Sequence, residues 1–210
     1  MKKLAMIGAG GHGKVVREAA LISGWDEVDF YDDYQVDHES NSIKGGIDRY
    51  VDQMNSYQGV TISVGNTTAR LSIHHKLEKL GVNFVTVIHP FTSISPSAVI
   101  GPGSVVLAGA IVNSSARIGV SSILNTGCSI DHDCVLGDFV HICPGVHLAG
   151  GVSIGRETWV GIGSAVIQNI KIGASVFVAA GSIIASDVPF GQKVRGVPAK
   201  SFHSISNSGE

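Results

Sequence analysis

The sequence predicts a two-part chain of class α/β + β, a small parallel α/β domain followed by a parallel β-helix. Three observations predict it. Every sixth residue between Ile94 and Ile184 is Ile, Val or Leu, which makes sixteen hexapeptides without an insertion. Ahead of that repeat, short apolar runs alternate with stretches of helical spacing. Between the first run and the first helical stretch lies a glycine-rich turn, Gly8-Ala9-Gly10-Gly11-His12-Gly13.

The elements of the first part follow in order. Met1-Lys2-Lys3 ahead of Leu4-Ala5-Met6-Ile7 superficially imitates a secretory signal, but glycines and His12 cut the apolar stretch short, so 3–7 reads as a buried strand. The glycine turn breaks it, and 14–23 has helical spacing. A second strand spans 27–31 and ends at Asp32-Asp33; a third spans 60–64 and stops at Gly65-Asn66. Residues 67–80 are helical by the spacing of Leu71, Leu77 and Leu80, and 83–88 supplies a closing strand. Strands alternating with helices imply a parallel sheet.

Gly8, Gly10 and Gly13 match G-x-G-x-x-G, and the acidic pair Asp32-Asp33 follows about twenty residues later, as in a Rossmann-like nucleotide-binding unit. Glycines there let backbone N–H groups approach a phosphate at a helix N-terminus. The plainer reading is a turn that only joins strand to helix. About four strands give room for one nucleotide rather than two. His12 is not required by the fingerprint; it either contacts a sugar or phosphate or is an exposed loop histidine.

The second part is set by its period. Six fits neither a 3.6-residue helix nor a flat strand, so it describes a coil that returns to the same environment after each short strand and turn. Four residues after each aliphatic, from Ala98 to Val188, stand Ala, Ser, Cys, Thr, Val or Ile, which can share a narrow interior with the large side chains. Gly101, Gly119, Gly137, Gly155, Gly161 and Gly173 directly follow aliphatics, where a turn is expected to need unusual backbone angles. Cys128 and Cys134 take the small position of adjacent hexads and should pack inward on different faces.

Asp131-His132-Asp133 sets an imidazole between two carboxylates. A carboxylate orients a neutral imidazole and raises its basicity, as a general base requires. Either Asp131 or Asp133 can reach the ring, depending on the local turn, and a surface cluster without chemistry is the alternative. His141 and His147 end their hexads. His132 and His141 are nine residues apart, half of an 18-residue coil, so they should lie on opposite sides of one prism and can serve one site only between subunits.

The 210 residues divide into 1–90, 91–200 and a short polar tail, 201–210. A net charge of −2 and a pI near 6.5 leave no dominant basic surface, so nucleic acid is not an expected partner. No apolar run approaches the ~18 residues of a membrane span. With Cys143 the cysteine count is odd and no disulfide framework is implied, which fits a reducing cytoplasm.

The repeat resembles the hexapeptide-repeat family, whose coils form a left-handed parallel β-helix with three hexads per turn. The whole chain resembles the NeuD/PglD-type sugar acetyltransferases through Gly10-Gly11-His12-Gly13, Asp32-Asp33, Val64-Gly65-Asn66, Ile88-His89-Pro90, Ser95-Pro96-Ser97-Ala98, Asn125-Thr126, His132-Asp133, His141, Ala149-Gly150 and Gly196-Val197-Pro198-Ala199. The resemblance implies a homotrimer with sites between subunits, acetyl-CoA as cosubstrate and no metal. It implies His132 as general base with Asp133 behind it; where close relatives carry Glu, Asp133 is one methylene shorter. Acetyl-CoA contacts map to His141, Gly150, Ile162 and Ala180, and nucleotide-sugar contacts to Gly10, Gly11, His12, Asp32, Asp33 and Gly65. The implied chemistry is direct N-acetylation of a UDP- or dTDP-linked 4-amino-deoxy sugar for surface glycan synthesis. The rivals are O-acetylation of a sugar such as sialic acid, a metal-dependent hydratase using His141 and His147, and a non-enzymatic scaffold with a nucleotide sensor.

Overall fold

The structure is a computed structural model that describes residues 1–34 and 43–202. In the first domain β1 (Lys3–Ile7) runs between β2 (Glu27–Tyr31) and β3 (Gly59–Ile62) in a parallel sheet of order β2-β1-β3. A central strand is covered on both faces, which is why Leu4, Ala5, Met6 and Ile7 form an unbroken apolar run and are all buried. Helix α1 (Gly11–Ile22) starts three residues earlier than expected, with Gly10 as an extended N-cap. Gly13 lies inside it because a Cβ there would come within 2.3 Å of the Gly8 carbonyl oxygen. Helix α2 (Ile47–Gln53) has no counterpart in the sequence reading. Helix α3 (Thr67–Glu78) is capped by Asn66, whose side chain accepts the Ala69 N–H at 2.9 Å.

Residues 83–88 do not close the sheet. Phe84 makes one parallel bridge to Val60, whereas Val87–Ile88 pairs with Val105–Val106 of the coil. The period explains this, since Ile88 is six residues ahead of Ile94 and occupies the same aliphatic register.

From there a two-residue strand recurs every six residues as far as Ile183–Ile184, and each one through Ala165–Val166 is paired in parallel with the strand 18 residues on, as in Ile123↔His141, Ser129↔His147 and Val135↔Ser153. Three hexads make a turn, and three sheets make a prism. The first face runs from Val87–Ile88 to Phe177–Val178 and is completed by Lys193–Gly196 and an antiparallel Ala199–Ser201. The second runs from Ser93–Ile94 to Ile183–Ile184, the third from Val99–Ile100 to Lys171–Ile172. The strand ending at Ser201 takes in the first tail residue, and 203–210 lie outside the described residues. The aliphatic position is buried from Val106 to Ile184 and the small position from Ser104 to Val188. Small polar residues there are paired: Ser104 Oγ donates to the Gly119 carbonyl at 2.9 Å and Thr158 Oγ1 to the Gly173 carbonyl at 2.8 Å.

The glycines after the aliphatics serve a different purpose from the one expected. Their φ angles are not positive; instead, a Cβ would strike the backbone of the next coil, 2.7 Å from Gly119 C at Gly101 and 2.3 Å from Ala174 N at Gly155. The left-handed conformation falls at the third residue after the aliphatic, with φ +72° at Gly103, +47° at Ser121, +60° at Asp133 and +59° at Phe139. Close stacking fixes the first position, and the corner fixes the third.

The buried stripe of α3 is Arg70, His74 and Leu77 rather than Leu71, Leu77 and Leu80; Leu80 is 40% exposed. That stripe docks on the prism. His74 stacks on Phe84 at 4.1 Å and its Nδ1 lies 2.8 Å from Ser121 Oγ.

Candidate active site

The glycine turn, the end of β2 and the turn after β3 open together on a cavity of about 410 Å³. It is lined by Gly10, Gly11, His12, Asp32, Asp33 and Gly65, all six positions expected to meet a nucleotide sugar, together with Tyr34, Ile47 and Val64. The acidic pair builds this cavity. Asp32 accepts the Ala9 and Tyr34 N–H groups, both at 2.8 Å, and Asp33 accepts the Ile47 N–H at 2.8 Å, which ties α2 to the rim. His12 is not an exposed loop residue: its Nε2 is buried and has no hydrogen-bond partner among the described residues. Burial and, less strongly, the charge of Arg70 bring its pKa down to about 4, so the ring is neutral.

On the first face of the prism, His141 lies beside His12, its ring centroid 6.2 Å from that of His12 and 4.1 Å from that of Trp159. Its Nδ1 is 3.3 Å from the Gly65 carbonyl oxygen and its Nε2 is 3.4 Å from Asn125 Nδ2. Burial foremost, then Arg70, brings its pKa down to about 3. A groove of about 400 Å³ starts at this ring and runs past Asn125, Trp159 and Phe177 to Ile162 and Ala180. Three of the four residues expected to meet acetyl-CoA are therefore together.

The fourth, Gly150, lies at a different corner, eighteen residues and one coil beyond His132. A Cβ on Gly150 would come within 2.5 Å of His132 Nε2, so the bare glycine makes room for the imidazole. The turn decides which carboxylate orients that ring. Asp133, at φ +60°, brings Oδ2 to 2.8 Å from His132 Nδ1. Asp131 accepts the backbone N–H of His132 at 2.8 Å and the Asn113 amide at 2.9 Å. The hydrogen bond to Asp133, followed by the charge of Asp131, raises the His132 pKa above its ordinary 6.5. Its side chain is 59% exposed.

His132 stands between the second and third faces, across the prism from the first face that carries His141. One chain thus displays two clusters that do not touch. Among the described residues no group of three or more His, Cys, Asp or Glu is placed to hold a metal ion, and no helix is long and apolar enough to cross a membrane.

Residues 3–77 match the family described as the PglD N-terminal domain. Over the whole chain, the acetyltransferase domain of PglB from Neisseria gonorrhoeae is 40% identical, with 96% of this chain and 100% of that one covered and a TM-score of 0.89. The chain belongs to the NeuD/PglD-type sugar acetyltransferases. Within that family, the PglB domain is also solved in complex with acetyl coenzyme A, at the same identity. PerB from Caulobacter crescentus, in complex with CoA and GDP-perosamine, is 33% identical over 97% of this chain and 98% of that one, with a TM-score of 0.91. WeeI from Acinetobacter baumannii is 27% identical over 96% and 100%, with a TM-score of 0.84.

The sequence reading passed over Arg70, Trp159 and Phe177. Trp159 and Phe177 continue the outward ladder of His141, each 18 residues beyond the last, and that interval is the signal that reveals them.

Proposed function

We propose that the protein transfers the acetyl group of acetyl-CoA to the amine of a nucleotide-linked 4-amino-deoxy sugar, carried on UDP or dTDP, for surface glycan synthesis. One observation carries this reading: His132 has its Nδ1 held by Asp133 at 2.8 Å while its Nε2 lies over the bare backbone of Gly150. With Nδ1–H donating to Asp133, the Nε2 lone pair is the base. The amine nitrogen attacks the thioester carbonyl carbon, a C–N bond forms, and the amine proton passes to Nε2. The tetrahedral intermediate collapses with C–S cleavage, and the CoA thiolate leaves and takes up that proton. The backbone N–H of Gly150 is the proposed donor to the developing oxyanion.

The cavity of the first domain takes the nucleotide sugar, and the groove beside His141 takes the pantetheine arm. Because the His132 corner and this groove lie on different sides of one prism, we propose a homotrimer in which one chain's base meets the next chain's groove. The protein would act in the cytoplasm, consistent with three free, buried cysteines whose thiols burial holds in the protonated form.

The test follows thiol release from acetyl-CoA in the presence of UDP-, dTDP- and GDP-linked 4-amino-deoxy sugars and free sialic acid. Turnover with an amino-sugar nucleotide is expected. Turnover with sialic acid alone would replace N- by O-acetylation, and none with any acceptor would remove the reading.

A further inference from the structure

Arg70 is a buried guanidinium whose hydrogen bonds, among the described residues, all run to backbone carbonyls. Nε donates to Ser121 and Nη2 to Phe139, both at 2.9 Å, and Nη1 donates to Val64 and Gly65, both at 2.9 Å. Ser121 and Phe139 are left-handed corner residues one coil apart, so the planar fork spans two successive turns of the prism and the rim of the nucleotide cavity. The Gly65 carbonyl has a second partner, His141 Nδ1 at 3.3 Å.

That geometry fixes a tautomer. A carbonyl only accepts, so Nδ1 of His141 carries the proton. The other nitrogen agrees: Asn125 Oδ1 accepts the Thr126 N–H at 2.9 Å, which sets the amide orientation and turns Nδ2 as a donor toward His141 Nε2 at 3.4 Å. The Gly65 carbonyl thus decides the tautomer and the longer Asn125 contact agrees with it, leaving a lone pair on Nε2, the nitrogen on the groove side.

We propose that Arg70 is a positioning residue for His141, immobilising the Gly65 carbonyl so that His141 keeps Nδ1 protonated and presents Nε2 beside Asn125 at the acyl-donor groove. This rests on the reading of that groove as the CoA site. Gly65 also lines the nucleotide cavity, so one carbonyl joins the two substrate sites. A lysine has a point charge in place of the fork and cannot span four carbonyls in two domains.

The test has two readouts. In protein with ¹⁵N-labelled histidine, long-range ¹H–¹⁵N correlations assign the proton of His141, identified by its loss in His141→Asn. Wild type is expected to show Nδ1–H, and Arg70→Lys a mixture or Nε2–H; a wild type protonated on Nε2, or an unchanged tautomer in the lysine variant, overturns the proposal. CoA titrations of Arg70→Lys, His141→Asn and the double variant provide the second. Each single change is expected to weaken CoA binding about tenfold, the scale of one lost hydrogen bond, with little further loss in the double variant. Losses that multiply would reduce Arg70 to a domain fastener and overturn it, as would failure of both Arg70→Lys and Arg70→Gln to fold. If wild type binds no CoA, the acyltransferase reading falls while the tautomer still decides the role of Arg70.

Discussion

His132 and His141 are nine residues apart on one coil, and the fold treats them in opposite ways. His132 stands on an open corner where Asp133 and Asp131 favour its cation and raise its pKa. His141 is closed beneath the first domain, where burial and Arg70 disfavour the cation and bring its pKa down to about 3. One environment favours the protonated ring, and the other keeps the ring neutral. His132 sits in a turn between two strands and His141 in a strand, and only the latter is covered by the first domain.

The largest effect that sharpens this contrast is expected from His132→Ala. Loss of a positioned base should lower kcat by at least ~100-fold, while the melting temperature stays nearly unchanged because the side chain is exposed. A variant within a few-fold of wild type would break the contrast and require another base. Next is Gly150→Ala, whose methyl would occupy space within 2.6 Å of His132 Cε1 and push the ring aside. Displacement on this scale should cost kcat about 10- to 100-fold, with nucleotide-sugar KM little changed.

Asp133→Asn comes third. It removes the main interaction that raises the His132 pKa, so the acid limb of the kcat/KM profile should move to lower pH, with kcat down by about tenfold as the base weakens and loses its orientation. An unmoved limb would show that Asp131 sets the basicity instead.

The smallest effect concerns the covered pair. His12 and His141 have folded-state pKa values of about 4 and about 3 against an ordinary 6.5, so unfolding is favoured by protonation of either ring. Their neutral burial is fully compatible with the fold above pH 6.5, and stability should fall as the pH drops from there toward 4. Thermal melts across that range in wild type and His141→Gln check it; the glutamine variant should lose less on acidification.

Much of the coil was legible because its signal is covalent in spacing: a residue each six positions facing inward, whatever the rest of the chain does. The cavity was legible for a similar reason, since the glycine turn and the acidic pair are local to strand ends. The surroundings of His141 were not, because Gly65 lies 76 residues away in another domain and reaches it through a carbonyl that every residue type possesses. Arg70 was hidden likewise, as a cation satisfied by four carbonyls leaves no carboxylate in the sequence to pair it with. The glycines after the aliphatics were seen but given the wrong cause, since stacking distance between coils is not written in a single hexad.

The 18-residue repeat also sets which insertions and deletions the chain can absorb. Removing one residue anywhere between Ile94 and Ile184 would turn every later interior side chain out of register, and adding six would carry each later residue to the neighbouring face. Eighteen residues, added beyond Ala180, would lengthen the prism by a turn and leave both histidine clusters where they are. The coil therefore permits change of length only in whole turns, and only beyond the groove does such a change leave the chemistry at its address.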